Sequence, residues 1–195
     1  MRENHWHLRC AAIAGLVGLA GVLSAGAAPV SWQVEGVREA YPCEGEPGFL
    51  RLDFWVGAWD VYVQERKVGA NRIEKILHGC AILEHWTSTG GGEGKSLFYY
   101  NHVTGKWKQV WVTQTATRPG GLKEKELVEE FEDGGVRFQG EIPLQDGGTM
   151  LDRTTLTPLG NGRVRQVIET SRDAGKTWRV GFDAIYVRQQ RRGER

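Results

Sequence analysis

The sequence predicts an all-β fold: a single up-and-down barrel of about ten antiparallel strands. Three observations carry this expectation. Glycines recur at Gly69, Gly79, Gly91, Gly105, Gly120, Gly134, Gly147, Gly162 and Gly175, 10 to 15 residues apart. Several sit in Asp-Gly or Asn-Gly pairs, which supply the positive φ angles of tight hairpins. The segments between them alternate apolar and polar residues, the period of a half-buried strand. A twisted meander of that length closes on itself rather than leave two edges open.

Residues 1–27 read as a secretory signal peptide. Arg2 and Arg9 give a positive start, Ala11 to Leu23 is apolar, and Ala25-Gly26-Ala27 is a small-x-small cleavage site. The run is shorter than the roughly 20 apolar residues of a membrane span. No later run is apolar enough to span a membrane, so none is expected after cleavage. Residues 28–49 read as an irregular lead-in, 50–188 as the barrel, and 189–195 as a basic, loose tail.

The strands follow in order. In Trp59 to Glu65, the residues Trp59, Val61 and Val63 share a face. In Ile82 to Ser88 one face carries Ile82, Glu84 and Trp86. In Ser96 to Tyr100 it carries Ser96, Phe98 and Tyr100, and in Trp107 to Thr113 it carries Trp107, Gln109 and Trp111. Leu122 to Glu132 is rich in helix-favouring Glu and Lys, yet the flanking hairpin signals make it a strand. Further strands are expected at Val136–Ile142, Met150–Leu156, Val164–Thr170 and Trp178–Val187. In the last, Trp178, Val180, Phe182, Ala184 and Tyr186 are expected on one face.

The composition narrows the function. Lys+Arg is 25 against Asp+Glu 24, for a net charge of +1. A nucleic-acid binder normally shows a clear basic excess, so no such partner is expected. Outside the signal segment the cysteines are Cys43 and Cys80, 37 positions apart. In an exported protein an even pair most simply forms a disulfide. A metal set of His78, Cys80, Glu84 and His85 has suitable donors but no recognised ligand spacing. No metal and no cofactor is therefore expected.

Asp53-Phe54-Trp55-Val56-Gly57-Ala58-Trp59 resembles the G-x-W opening of the calycin superfamily, the lipocalins and fatty-acid-binding proteins. The resemblance implies that Trp59 packs at the closed end of the barrel beneath a basic side chain of the last strand, here Arg188. An indole face under a guanidinium is a favourable cation–π pair. The whole chain looks closer to a family of exported bacterial proteins with a calycin-like barrel. The carrying residues are Leu52 to Val61, Gly79-Cys80 with Leu83-Glu84-His85-Trp86, Thr104-Gly105-Lys106-Trp107 with Gln109-Val110-Trp111-Val112, and Asp173 to Trp178. That resemblance implies a fold and a compartment, but no reaction. Ser171-Arg172-Asp173-Ala174-Gly175-Lys176-Thr177-Trp178 also resembles a single Asp-box. It implies a structural hairpin turn in which Asp173 caps amides, Gly175 turns the chain and Trp178 packs beneath.

Candidate chemistry centres on the barrel interior. Glu84 alternates with Ile82 and Trp86, and Gln109 with Trp107 and Trp111. Polar groups framed by aromatics are the makings of an apolar pocket with a few orienting contacts. The expected function is therefore the binding of a small apolar or amphipathic molecule. Trp86, Phe98, Tyr100, Trp107 and Trp111 would form the walls, with Glu84 and Gln109 orienting the ligand. Three alternatives stand beside it. In the first, Glu84 and Gln109 form a structural network, with each other or with Arg153 or Arg165. In the second, the barrel is a cofactor-independent isomerase, cyclase or lyase with Glu84 as acid/base. In the third, it is a packed barrel that binds another protein. The sequence leaves the oligomeric state open.

Overall fold

The computed structural model describes residues 41–190. The expected signal peptide, most of the lead-in and the end of the tail lie outside them. Ten strands form one closed antiparallel barrel in sequence order: β1 (Gly57–Val63), β2 (Arg66–Ile76), β3 (Ala81–Ser88), β4 (Glu93–Asn101), β5 (Lys106–Thr113), β6 (Leu122–Glu130), β7 (Val136–Pro143), β8 (Thr149–Gly160), β9 (Arg163–Ser171) and β10 (Arg179–Arg188). Closure is made by β1 against β10, with Trp59 opposite Arg188. The expected all-β class and up-and-down barrel are thus observed, and Leu122–Glu130 is a strand despite its helical propensity.

β2 is the strand that the sequence reading does not place. Its residues are mostly polar, and Gly69 reads as a turn. In the structure Gly69 lies inside β2, opposite Val61 and Ser88. A Cβ there would come within 2.4 Å of the Trp86 ring, so glycine makes room for that indole. The turn comes earlier, at Gln64, which has φ 55°. The other eight glycines of the series fall in or beside the connections between strands.

A short segment before β1 plugs one end of the barrel. Helix α1 (Pro47–Leu50) and a 3-10 turn (Asp53–Trp55) lead into it. Leu52 and Trp55 are fully buried in a core with Trp59, Val61, Ile73, Ile82, Phe98, Phe138 and Tyr186. The Trp107 indole donates to the Gly48 carbonyl at 2.8 Å, and the Trp59 indole donates to the Trp55 carbonyl at 3.0 Å. Phe49 meets Tyr100 edge to face, with centroids 4.9 Å apart. Arg188 lies over Trp59, 4.4 Å from the ring centroid. The disulfide Cys43–Cys80 ties this segment to the β2–β3 turn.

The opposite end is formed by the hairpins β1–β2, β3–β4, β5–β6, β7–β8 and β9–β10. The last of these is the Asp-box turn. Asp173 accepts hydrogen bonds from the Thr177 amide (2.9 Å), the Thr177 hydroxyl (2.6 Å) and Ser171 (2.7 Å). Gly175 has φ 86°, and its carbonyl accepts from the Trp178 indole at 3.0 Å. The expectation that Trp178 and Val180 share a face with Phe182 is corrected by a bulge. The register of β10 against β9 shifts between Val180 and Phe182, and one extra residue reverses the faces before it. Val180 is exposed. Trp178 packs beneath Arg153, 3.8 Å from its ring.

Candidate functional site

Alternation sends one residue in two into the barrel, and near mid-height those residues are polar. Asn71, Glu84, Ser96, Gln109, Lys125, Asp152, Thr154 and Gln166 are all buried. They form a belt above the aromatic core, joined largely across neighbouring strands. Asn71 Nδ2 donates to Glu84 Oε1 at 2.7 Å, and Ser96 Oγ donates to Glu84 Oε2 at 2.6 Å. Gln109 Nε2 donates to Ser96 Oγ at 3.0 Å. Further round, Lys125 Nζ donates to Thr154 Oγ1 at 2.6 Å and pairs with Asp152. Lys123 reaches the other oxygen of Asp152 at 2.6 Å. On β9 and β10, the Tyr186 hydroxyl donates to Gln166 Oε1 at 2.7 Å.

Above the belt lies a cavity of about 190 Å³ that opens toward the hairpin end. Its floor and sides include Glu84, Gln109, Lys125 and the Tyr186 hydroxyl; its apolar walls are Trp86, Trp111, Ile168 and Phe182. Two glycines make space for the indoles. A Cβ at Gly94 would come within 2.3 Å of the Trp111 ring, as one at Gly69 would of Trp86. The two tryptophans therefore lie flat against backbone on β2 and β4 and leave the centre open.

Burial sets the electrostatics. It pushes the Glu84 carboxyl above its ordinary value, against the hydrogen bonds from Ser96 and Asn71 that pull it down. Burial draws the Lys125 ammonium down to about 8, although Asp152 attracts its charge. It also raises the Tyr186 hydroxyl, assisted by the nearby Glu84 charge. These are the desolvation effects expected of groups held away from water.

Of the residues singled out in the sequence, Glu84, Trp86, Gln109 and Trp111 line this cavity. Phe98, Tyr100 and Trp107 do not. They face inward on β4 and β5, nearer the plugged end. There Phe98 packs on Phe138 (5.6 Å) and Tyr100 on Trp107 (5.8 Å). Glu84 and Gln109 are joined through Ser96 rather than directly. Arg153 and Arg165 lie outside the barrel, paired with Glu169 and Asp183. The four residues of the metal set are separated. Cys80 is bonded to Cys43, while His85 lies on the outer face with Glu74 at 2.9 Å; His78 is stacked on Tyr41.

The sequence reading missed Lys123, Lys125 and Asp152. A signal exists for the lysines: in Leu122–Glu130, Lys123, Lys125 and Leu127 alternate with Glu124 and Glu126, so the two charge types occupy opposite faces. Compared with protein-family models and with curated proteins, the sequence matches none.

Proposed function

We propose that this barrel binds a small amphipathic molecule in the cavity at its hairpin end. The observation that carries the reading is the space of about 190 Å³ with indole walls and a polar floor, open toward the hairpin end. A dry cavity of roughly 150 Å³ holds benzene. The space therefore suits a single ring with one or two small substituents, rather than a long acyl chain. Pockets of mostly apolar lining with few placed polar groups are the usual form of a small-molecule site.

The acid/base reading of Glu84 has less support, because both of its oxygens already accept hydrogen bonds within the belt. The Cys43–Cys80 disulfide supports an exported protein, as does the leader-like sequence before residue 28. Among the described residues no helix is long and apolar enough to cross a membrane. The Trp59–Arg188 stack supports kinship with calycin-like barrels.

Native mass spectrometry of the protein purified from its own host tests the binding reading. The expected result is a retained small molecule that denaturation releases and that Ile168→Trp, which fills the cavity, prevents. A wild-type chain that stays empty and takes up no single-ring compound at millimolar concentration would overturn it.

A further inference from the structure

We infer that the cavity selects a planar ring acid: a compact aromatic molecule carrying one carboxylate and one O–H or N–H donor. The inference rests on the cavity-binding reading and assigns its ligand class. It follows from counting the donors and acceptors that the belt leaves open.

Among the residues that line the cavity, the unpaired acceptor is Gln109 Oε1; Asn71 Oδ1 also lacks a partner, but Asn71 does not line the cavity. The Ser96 hydroxyl donates its hydrogen bond to Glu84, so its oxygen accepts from Gln109, which fixes the Gln109 amide with Nε2 toward Ser96. Gln109 Oε1 is then buried without a partner in a residue that is 7 % exposed and lines the cavity. Its facing residue on β6 is Lys125, whose ammonium instead turns to Asp152 and Thr154. The belt is thus interrupted between Gln109 and Lys125. A buried carbonyl left unpaired is costly, and a ligand O–H or N–H satisfies it.

The donor side is larger. An ammonium has three N–H donors. Lys125 uses two, on Asp152 and Thr154, and Lys123 uses one, on Asp152. Both lysines line the cavity. They share a single carboxylate, Asp152, which is fully buried. Three N–H donors therefore remain for a ligand, more than the two lone pairs of a neutral carbonyl can take, and they match a carboxylate. Trp86 and Trp111 line the same cavity, and indole faces favour a flat ring. The volume admits one ring.

Isothermal titration calorimetry at pH 7 with phenol, benzoate and the 2-, 3- and 4-hydroxybenzoates tests the assignment. The best hydroxybenzoate isomer should bind at least tenfold more tightly than either benzoate or phenol. Lys123→Met, which alters only the half-buried lysine, should reduce hydroxybenzoate affinity severalfold and leave phenol unchanged. Gln109→Leu should erase the preference for hydroxybenzoate over benzoate. Circular dichroism on both variants establishes that they fold. Phenol binding as tightly as every hydroxybenzoate would overturn the acid assignment and leave an apolar ring site. No binding by any of the five compounds would instead remove the cavity-binding reading on which it stands.

Discussion

Ser96 accepts a 3.0 Å hydrogen bond from the Gln109 side-chain amide, and the direction of that bond decides what the cavity offers. Because the Ser96 hydroxyl already donates its one hydrogen bond to Glu84, the Gln109 carbonyl oxygen must face away from it. A carboxylate in the wall thus orients an amide two strands away. This relay explains why Glu84 matters to the site even though both its oxygens are engaged in the belt.

Glu84 should make the protein less stable as pH rises. Its carboxyl is held above the ordinary 4.5 by burial, so the folded state keeps a proton that the unfolded state releases. The linkage slope is then negative. The favourable contribution is complete below about 4.5 and is lost as pH climbs to the folded value. Urea midpoints measured across this range should fall for the wild type and stay flat in that window for Glu84→Gln. Glu84→Ala strands the Asn71 and Ser96 donors and should cost about 1–3 kcal/mol for each one left unpaired.

Lys125 should have the opposite sign. Its folded value is about 8, below the ordinary 10.5, so the unfolded chain binds the extra proton between the two. Stability contributed by this residue should increase as pH rises from about 8 toward 10.5. Heteronuclear NMR of the lysine side chains should show one ammonium with a midpoint near 8 that disappears in Lys125→Met. A wild-type Lys125 titrating at 10.5 would mean that the belt is hydrated.

Gly57 and Arg188 are bound by geometry at the plugged end. Gly57 has φ +150°, and a Cβ there would lie 2.2 Å from an Arg188 guanidinium nitrogen. Gly57→Ala should displace Arg188 from Trp59 and destabilise the fold more than Arg188→Ala, which removes only the cation–π pair, worth about 0.5–2 kcal/mol. Equal denaturant midpoints for the two variants would contradict this.

The disulfide should stabilise the plug. Closing a loop of this length restricts the unfolded chain by about 4 kcal/mol at most. Cys43→Ser with Cys80→Ser should lower the urea midpoint accordingly. The loss should concentrate in hydrogen-exchange protection near Trp55 and Trp107, leaving the hairpin end protected.

How far the sequence is readable differs between fold and site. Turn glycines and alternation place nine strands, including Leu122–Glu130, because hairpin chemistry is local. β2 escapes because Gly69 stands in a strand only to admit Trp86, a contact invisible in one dimension. The site is legible in part for a related reason. Alternation tells which face of a strand a residue occupies, not its height along the barrel. Glu84, Gln109 and Trp111 therefore read the same way as Phe98 and Trp107, and only the N-terminal plug separates pocket from core. Lys123 and Lys125 resemble a solvated charge run until Asp152, some 27 residues or more along the chain, is seen between them.

The most direct measurement is a titration of ¹⁵N-labelled protein with the hydroxybenzoates, followed at the tryptophan indole N–H signals. Binding in the proposed cavity should move Trp86 and Trp111 while Trp55, Trp59 and Trp107 stay fixed. Shifts confined to those core indoles, or no shift in any indole at millimolar ligand, would contradict the account.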